Sequence, residues 1–218
     1  MPTDLPNELL PQFQSAGESL LSCRCNNSHS GNLSVRRGQQ IVITRTGAML
    51  ARLTADDLVV TSLSPTPDES TRASSETPAH LEIYRRTSAA AVAHGHALSA
   101  VAAGWLTDRL EPLDLEGAYY FNSIPVLEHV PATADASLGQ ALADLLKKSP
   151  VVILRGHGVF AVGDTLESAA QRITSVNDSA ELFLRARALG LDTHALRNAP
   201  YIADVLRRKH SRKMEDSG

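Results

Sequence analysis

Three histidines and one carboxylate are the side chains in this sequence from which a metal centre could be built. His94 and His96 stand at the end of an apolar run, Ala89 to Ala93, that reads as a short buried strand. Side chains at i and i+2 of a strand share a face, and at about 3.3 Å rise per residue their alpha carbons lie roughly 7 Å apart. Two imidazoles can close that gap onto one ion at about 2.0–2.1 Å per Zn–N bond. A His-x-His pair is equally at home in solvent, so the reading needs a third ligand. His157 is the candidate, set in a turn between Val151-Val152-Ile153-Leu154 and Val159-Phe160-Ala161-Val162, two apolar runs that read as strands. Gly156 and Gly158 flank it and permit unusual backbone angles and the close approach of another group. A hairpin histidine in solvent is the plainer alternative. Together the three histidines resemble a catalytic zinc site that keeps one position open for substrate.

The carboxylate is Glu76, in Ser74-Ser75-Glu76-Thr77-Pro78-Ala79-His80. Thr77 can cap a helix and Pro78 suits its first position, which holds Glu76 near the positive end of that helix. His80, one turn on, reads as structural. Three short stretches, Gly31-Asn32, Thr46-Gly47 and Ser74-Ser75, are dense in small hydrogen-bonding groups. A phosphate is bound well by such backbone N–H groups, hydroxyls and amides without a basic side chain. Each stretch alone is also a commonplace turn.

The elements that must position these residues follow from periodicity. Leu9, Leu10, Phe13, Ala16 and Leu20 have helical spacing within Leu5 to Leu21, behind Asp4. A polar loop over 26–32 leads into a hairpin of Leu33-Ser34-Val35 and Gln40 to Thr44. Thr54 caps a short helical turn holding Asp56 and Asp57, before a strand at Leu58 to Thr61. Ser64 to Thr71 reads as an exposed turn. Ala97 to Ala103 forms a helix ended by Gly104, and Ser123 to Val126 a short strand. A helix begins at Asp135 or Ser137 and stops before Pro150; the longest runs from Thr165 to Gly190. Arg207 to Gly218 reads as a mobile charged tail, leaving 1–206 as one domain. No internal repeat is present.

Composition sets the outer limits. With 218 residues, 43% hydrophobic and 21% charged, the chain suits one soluble globular domain. A net charge of −3 argues against nucleic acid as a main partner. No run approaches the about 20 apolar residues of a membrane span, and Met1-Pro2-Thr3-Asp4 lacks the plan of a signal peptide, so the cytoplasm is expected. Cys23 and Cys25 are too few for a disulfide framework.

In this order, Gly31-Asn32-Leu33-Ser34-Val35-Arg36, Thr44-Arg45-Thr46-Gly47, Ser74-Ser75-Glu76, His94-Gly95-His96 and Arg155-Gly156-His157-Gly158 resemble the class II aldolase/adducin family over roughly residues 5 to 190. The resemblance implies a three-layer α/β/α domain with a largely antiparallel central sheet, assembled as a homotetramer with active sites between subunits. It implies zinc, or another divalent metal, on His94, His96 and His157, with Glu76 as catalytic acid/base. Asn32, Thr46, Gly47, Ser74 and Ser75 match the family's phosphate pocket. The activity implied is retro-aldol cleavage of a short ketose 1-phosphate, of the fuculose, 5-deoxyribulose or methylthioribulose kind, to dihydroxyacetone phosphate and an aldehyde. An L-ribulose-5-phosphate 4-epimerase, a sugar-phosphate dehydratase and a non-catalytic adducin-like interaction domain are the alternatives. Glu76 stands where the family's epimerases carry aspartate, and Ala118 falls at the position of their catalytic aspartate. The chain departs from the family's aldolases at Ser28-His29-Ser30 and at Asp114, which takes the place of a tyrosine.

Overall fold

The computed structural model describes residues 4–66, 71–131, 133 and 135–215, with side chains through 208. Eight strands form one sheet: β1 (Asn32–Arg37), β2 (Gln40–Thr44), β3 (Leu58–Ser62), β4 (Ala91–Gly95), β5 (Arg109–Leu110), β6 (Ile124–Leu127), β7 (Val151–Leu154) and β8 (Gly158–Gly163). Their order is β3-β2-β1-β4-β8-β7-β6-β5. Neighbours are antiparallel except β6 and β7, which pair in parallel, so the sheet is mixed. The expected largely antiparallel three-layer architecture is found.

The two-residue period of the central strands feeds two separate cores. Ala91, Ala93, Val151, Ile153, Val159 and Ala161 pack with α1 (Leu5–Ser22), α3 (Leu98–Gly104) and α6 (Leu166–Ala188). Val92, Val152, Leu154, Phe160 and Val162 face the other way, onto α2 (Thr77–Arg86) and α5 (Ala136–Leu146). Strands buried on both faces read as continuous apolar runs, which is why β7 and β8 stood out in the sequence.

The helix ends follow their capping residues. The Asp4 side chain accepts from Asn7 N at the start of α1. Asp135 caps α5, and Thr165 with Ser168 forms a capping box at α6. Gly190, at φ 70°, turns the chain after α6. The turn after Thr54 is a 3-10 helix, Ala55–Asp57, closed by a Thr54–Asp57 capping box. Within α1, Gly17 admits the Leu50 carbonyl: a Cβ there would lie 1.9 Å from that oxygen.

Helices α4 (Leu115–Tyr120), α7 (Thr193–Arg197) and α8 (Pro200–Glu215) have no counterpart in the sequence reading. The boundary drawn at residue 206 falls inside α8. Residues 207–215, read as a tail from their charge, continue that helix, since Arg, Lys, Glu and Met are good helix formers. Part of the Ser64 to Thr71 turn, at 67–70, lies outside the described residues, as do 216–218.

Candidate metal centre

Strand β4 delivers His94 at its penultimate position and His96 one residue beyond its end. His157 arrives from the neighbouring β7–β8 turn, where Gly156 adopts φ 73° and His157 N donates to Leu154 O at 3.0 Å. One ligand nitrogen of each histidine lies within 4.8 Å of the others. The imidazoles stand edge to face, at 62° for His94–His96, 68° for His94–His157 and 69° for His96–His157, so the rings converge without stacking.

His94 is the most constrained of the three. It is fully buried and its ring stacks on Phe160, its cross-strand partner, with centroids 4.1 Å apart. Its Nδ1 lies 3.0 Å from Val159 O. A carbonyl can only accept, so Nδ1 carries the proton and the Nε2 lone pair points at His96 and His157. Burial holds His94 well below the ordinary histidine range, and charge on His157 or His96 would push it lower, against the Val159 carbonyl. His96 is lowered too, by burial first and then His157, with Glu76 opposing. Neutral imidazoles are what a cation needs.

The donor set fits a divalent ion. His94 Nε2 and His96 Nε2 are 3.1 Å apart, and a tetrahedral ion at about 2.0–2.1 Å from each nitrogen separates two ligands by about 3.3 Å. Two lone pairs facing each other at that range repel unless a cation or a proton lies between them.

Glu76 closes the group. Its Oε2 lies 3.4 Å from His94 Nε2 and its Oε1 lies 3.6 Å from His157 Nε2. Helix α2 starts one residue earlier than the sequence reading placed it. Glu76 is itself the N-cap, Thr77 the first helical residue and Pro78 the second. Thr77 Oγ1 donates to Ser74 O at 2.6 Å, and the Ser74 hydroxyl accepts from Glu76 N at 3.3 Å. Asn32, directly across the ladder from His94, donates from Nδ2 to Glu76 Oε2 at 3.1 Å.

The residues singled out for phosphate divide into two groups. Thr46, Ser74 and Ser75 line one cleft of about 400 Å³, together with Thr71, Ala73 and Thr77. An isolated bridge between Arg45 and Ala73 brings the two loops together. Gly47, at φ 67°, is exposed beside Thr46 with open space where a side chain would be. Asn32 does not line that cleft; its amide is committed to Glu76, and its Oδ1 is buried without a hydrogen-bond partner.

Other residues left open in the sequence have plain structural roles. Asp114 caps α4, accepting from Gly117 N at 2.5 Å and from the Ser179 hydroxyl at 2.7 Å. Ala118 is buried in α4. His29 is exposed and bonds locally, to the Ser28 hydroxyl at 2.9 Å. His80 is fully buried with Nδ1 2.7 Å from the Ser34 hydroxyl, which also meets Tyr84 OH at 2.8 Å. Sequence reasoning missed Asn26, whose Oδ1 accepts from His96 N at 2.9 Å. It sits in a run of similar polar residues, and nothing in the sequence distinguishes it from them.

Three histidines and one carboxylate, gathered at the ends of the central strands β4 and β8 beside a cleft that Thr46, Ser74 and Ser75 help to line, form a group in an α/β fold that could hold a metal ion. The family profile described as "Class II Aldolase and Adducin N-terminal domain" matches residues 12–184. The chain belongs to the class II aldolase and adducin family. A methylthioribulose-1-phosphate dehydratase of Acidiphilium cryptum is 34% identical over 67% of this chain and 76% of its own. A protein of Nocardia farcinica named "Probable bifunctional methylthioribose-1-phosphate isomerase/methylthioribulose-1-phosphate dehydratase" is 31% identical over 78% of this chain; the match spans 35% of that longer protein. The crystal structure of L-fuculose-1-phosphate aldolase from Thermus thermophilus superposes with a TM-score of 0.79 and 36% identity, covering 84% of this chain and 95% of that one.

Proposed function

We propose that this chain is a divalent-metal-dependent lyase, with zinc the expected ion, that cleaves the C3–C4 bond of a short ketose 1-phosphate by retro-aldol chemistry. The observation that carries the reading is the placement of Glu76, a buried carboxylate 3.4 Å from His94 and 3.6 Å from His157, held by Asn32. Cleavage removes the C4 hydroxyl proton, breaks C3–C4 to release an aldehyde, and leaves an enediolate that takes a proton at C3 to become dihydroxyacetone phosphate. A cation held by His94, His96 and His157 would supply the positive charge that stabilises the anionic oxygen. Glu76, at 5% exposure, is sheltered enough to move these protons without competition from bulk water. The hydroxyls of Ser74 and Ser75 and the backbone at Thr46 and Gly47 offer the phosphate a handle, the Thr46 hydroxyl being bonded to Ala73 O at 2.9 Å and Asn32 holding Glu76 on the metal side. Such remote binding energy positions the reacting carbons. The reading includes a cytoplasmic homotetramer with sites between subunits.

A second reading is dehydration of the same class of substrate, favoured by the dehydratases at 31% and 34% identity. One experiment separates the readings. Zinc-loaded protein is incubated with a panel of ketose 1-phosphates and, separately, with L-ribulose 5-phosphate. Triose phosphate from the first supports cleavage. A dehydrated diketone phosphate without triose phosphate overturns it in favour of dehydration, and C4-inverted pentulose phosphate from the second assigns an epimerase. Glu76→Gln should lower whichever rate is found by about 10² to 10⁴-fold.

A further inference from the structure

We propose that Asn26 is a positioning residue for the metal centre, fixing His96 from the loop that carries Gly31 and Asn32. This rests on the assignment of His94, His96 and His157 as ligands. The three are not held alike. His94 is locked by the β4 ladder, by Val159 O and by Phe160. His96 lies beyond the last β4–β8 pair, Gly95 with Val159, and is only partly buried. Its backbone N–H has no ladder acceptor, and Asn26 Oδ1 takes that bond at 2.9 Å.

The chain is bent to deliver that oxygen. At the end of α1, Arg24 adopts φ 55°, and Cys25 N returns to Leu20 O at 2.8 Å. This places Asn26, 8% exposed, against β4, where a Cβ added at Gly95 would lie 3.4 Å from its Oδ1. The same carboxamide abuts Gly31, where a Cβ would lie 2.7 Å from Nδ2 and 2.8 Å from Oδ1. A backbone N–H can only donate, so the carboxamide oxygen and not its amino group must face His96. Asn26 Nδ2 is buried and has no partner among the described residues. An asparagine that merely filled the loop would satisfy its amino group as well as its oxygen. This one satisfies only the acceptor, and what it accepts from is the backbone of a ligand.

The test is zinc affinity, measured by chelator competition on the full chain. Asn26→Ala and Asn26→Leu, which lack the acceptor, should weaken zinc binding by about 10 to 100-fold, with turnover restored at saturating zinc. Asn26→Asp keeps Oδ1 and loses only an amino group without a partner, so it should recover most of the affinity. Should the alanine variant not fold by circular dichroism, the aspartate and leucine variants carry the comparison. Parental affinity in the leucine variant, or an aspartate variant as weak as leucine, overturns the proposal. A parent protein that binds no zinc overturns the ligand assignment itself.

Discussion

Adding one methyl group at Gly158 tests whether the metal centre depends on how closely β4 and β8 approach. A Cβ at Gly158 would lie 2.5 Å from Gly95 O and 2.9 Å from His94 Cε1. Ordinary contacts begin near 3.4 Å, so the carbonyl would have to retreat by about 0.9 Å and the ring by about 0.5 Å. Neither can do so freely. Gly95 pairs with Val159 in the ladder, and the His94 ring is stacked on Phe160 and tied to Val159 O. Overpacking of this kind costs about 1–3 kcal/mol. The same displacement would move His94 out of line with His96 and His157, and with His94 the proposed ligand a loss of about 10 to 100-fold in metal affinity is expected. Urea unfolding of the metal-free protein gives the first quantity and chelator competition with zinc the second. Gly38→Ala is the control: Gly38 adopts φ 60° with nothing within 4 Å of an added Cβ. It should cost about 1–2 kcal/mol from the left-handed backbone alone and leave zinc affinity untouched. Parental zinc affinity in Gly158→Ala, or an equal loss in Gly38→Ala, refutes the reasoning.

Two further substitutions probe buried polar groups. Asp57 accepts from Thr54 N at 2.8 Å and the Thr54 hydroxyl at 2.9 Å, and pairs with Arg45 at 2.7 Å. Burial pushes its carboxyl up, but the Thr54 bonds and Arg45 outweigh burial and the net shift is downward. A depressed folded pKa gives stability that is present above the unfolded value, about 3.9, and is lost as pH falls through the folded one. Asp57→Asn should therefore cost about 1–2 kcal/mol at neutral pH, with the gap to the parent closing below pH about 4. Urea midpoints with a gap that does not vary with pH would contradict this. Ser34→Ala removes the partner shared by His80 and Tyr84, both at most 1% exposed. His80 is held down to about 3, by burial first, so it stays neutral and cannot recover the loss by charging. Tyr84 keeps its bond to the Val92 backbone, so His80 Nδ1 is the group left stranded and a loss of about 1–3 kcal/mol is expected; a loss under about 0.5 kcal/mol would show that the network adds little.

Most of what lies close along the chain was legible in the sequence. The continuous apolar runs at 151–154 and 159–162 mark strands buried on both faces, and Asp4, Asp135 and Thr165 cap the helices they were expected to cap. The convergence of the three histidines was legible because β4 and the β7–β8 turn each present them at a strand end. What was hidden depends on contacts between distant segments. Asn26 and Gly95 are separated by three complete strands, helix α2 and most of β4, and only the folded sheet shows that one packs on the other. Helix α4 was missed because six residues show less than two turns of periodicity, and the two-residue β5 shows none. The functions of Gly156 and Gly158 could be anticipated only jointly. The structure divides them, with the left-handed turn at Gly156 and the close approach at Gly158.

The one-residue shift in the start of α2 bears on the chemistry of Glu76. Had Thr77 been the cap, Glu76 would lie outside the helix, free to turn toward solvent. As N-cap it has φ −88° and ψ 5°, and its side chain makes no capping bond. The cap position ordinarily spends a side-chain oxygen on the helix's own N–H groups. Here the first N–H groups of the helix bond main-chain oxygens instead, Thr77 N to Ser74 O and both Ala79 N and His80 N to Glu76's own carbonyl, while the Ser74 hydroxyl accepts from Glu76 N. Both carboxylate oxygens are thereby left for the site, one on Asn32 Nδ2 and 3.4 Å from His94, the other 3.6 Å from His157. The proposed proton-transfer role of Glu76 suits such a setting, because its bond from Asn32 holds one oxygen in place while lone pairs on both oxygens stay open to the site.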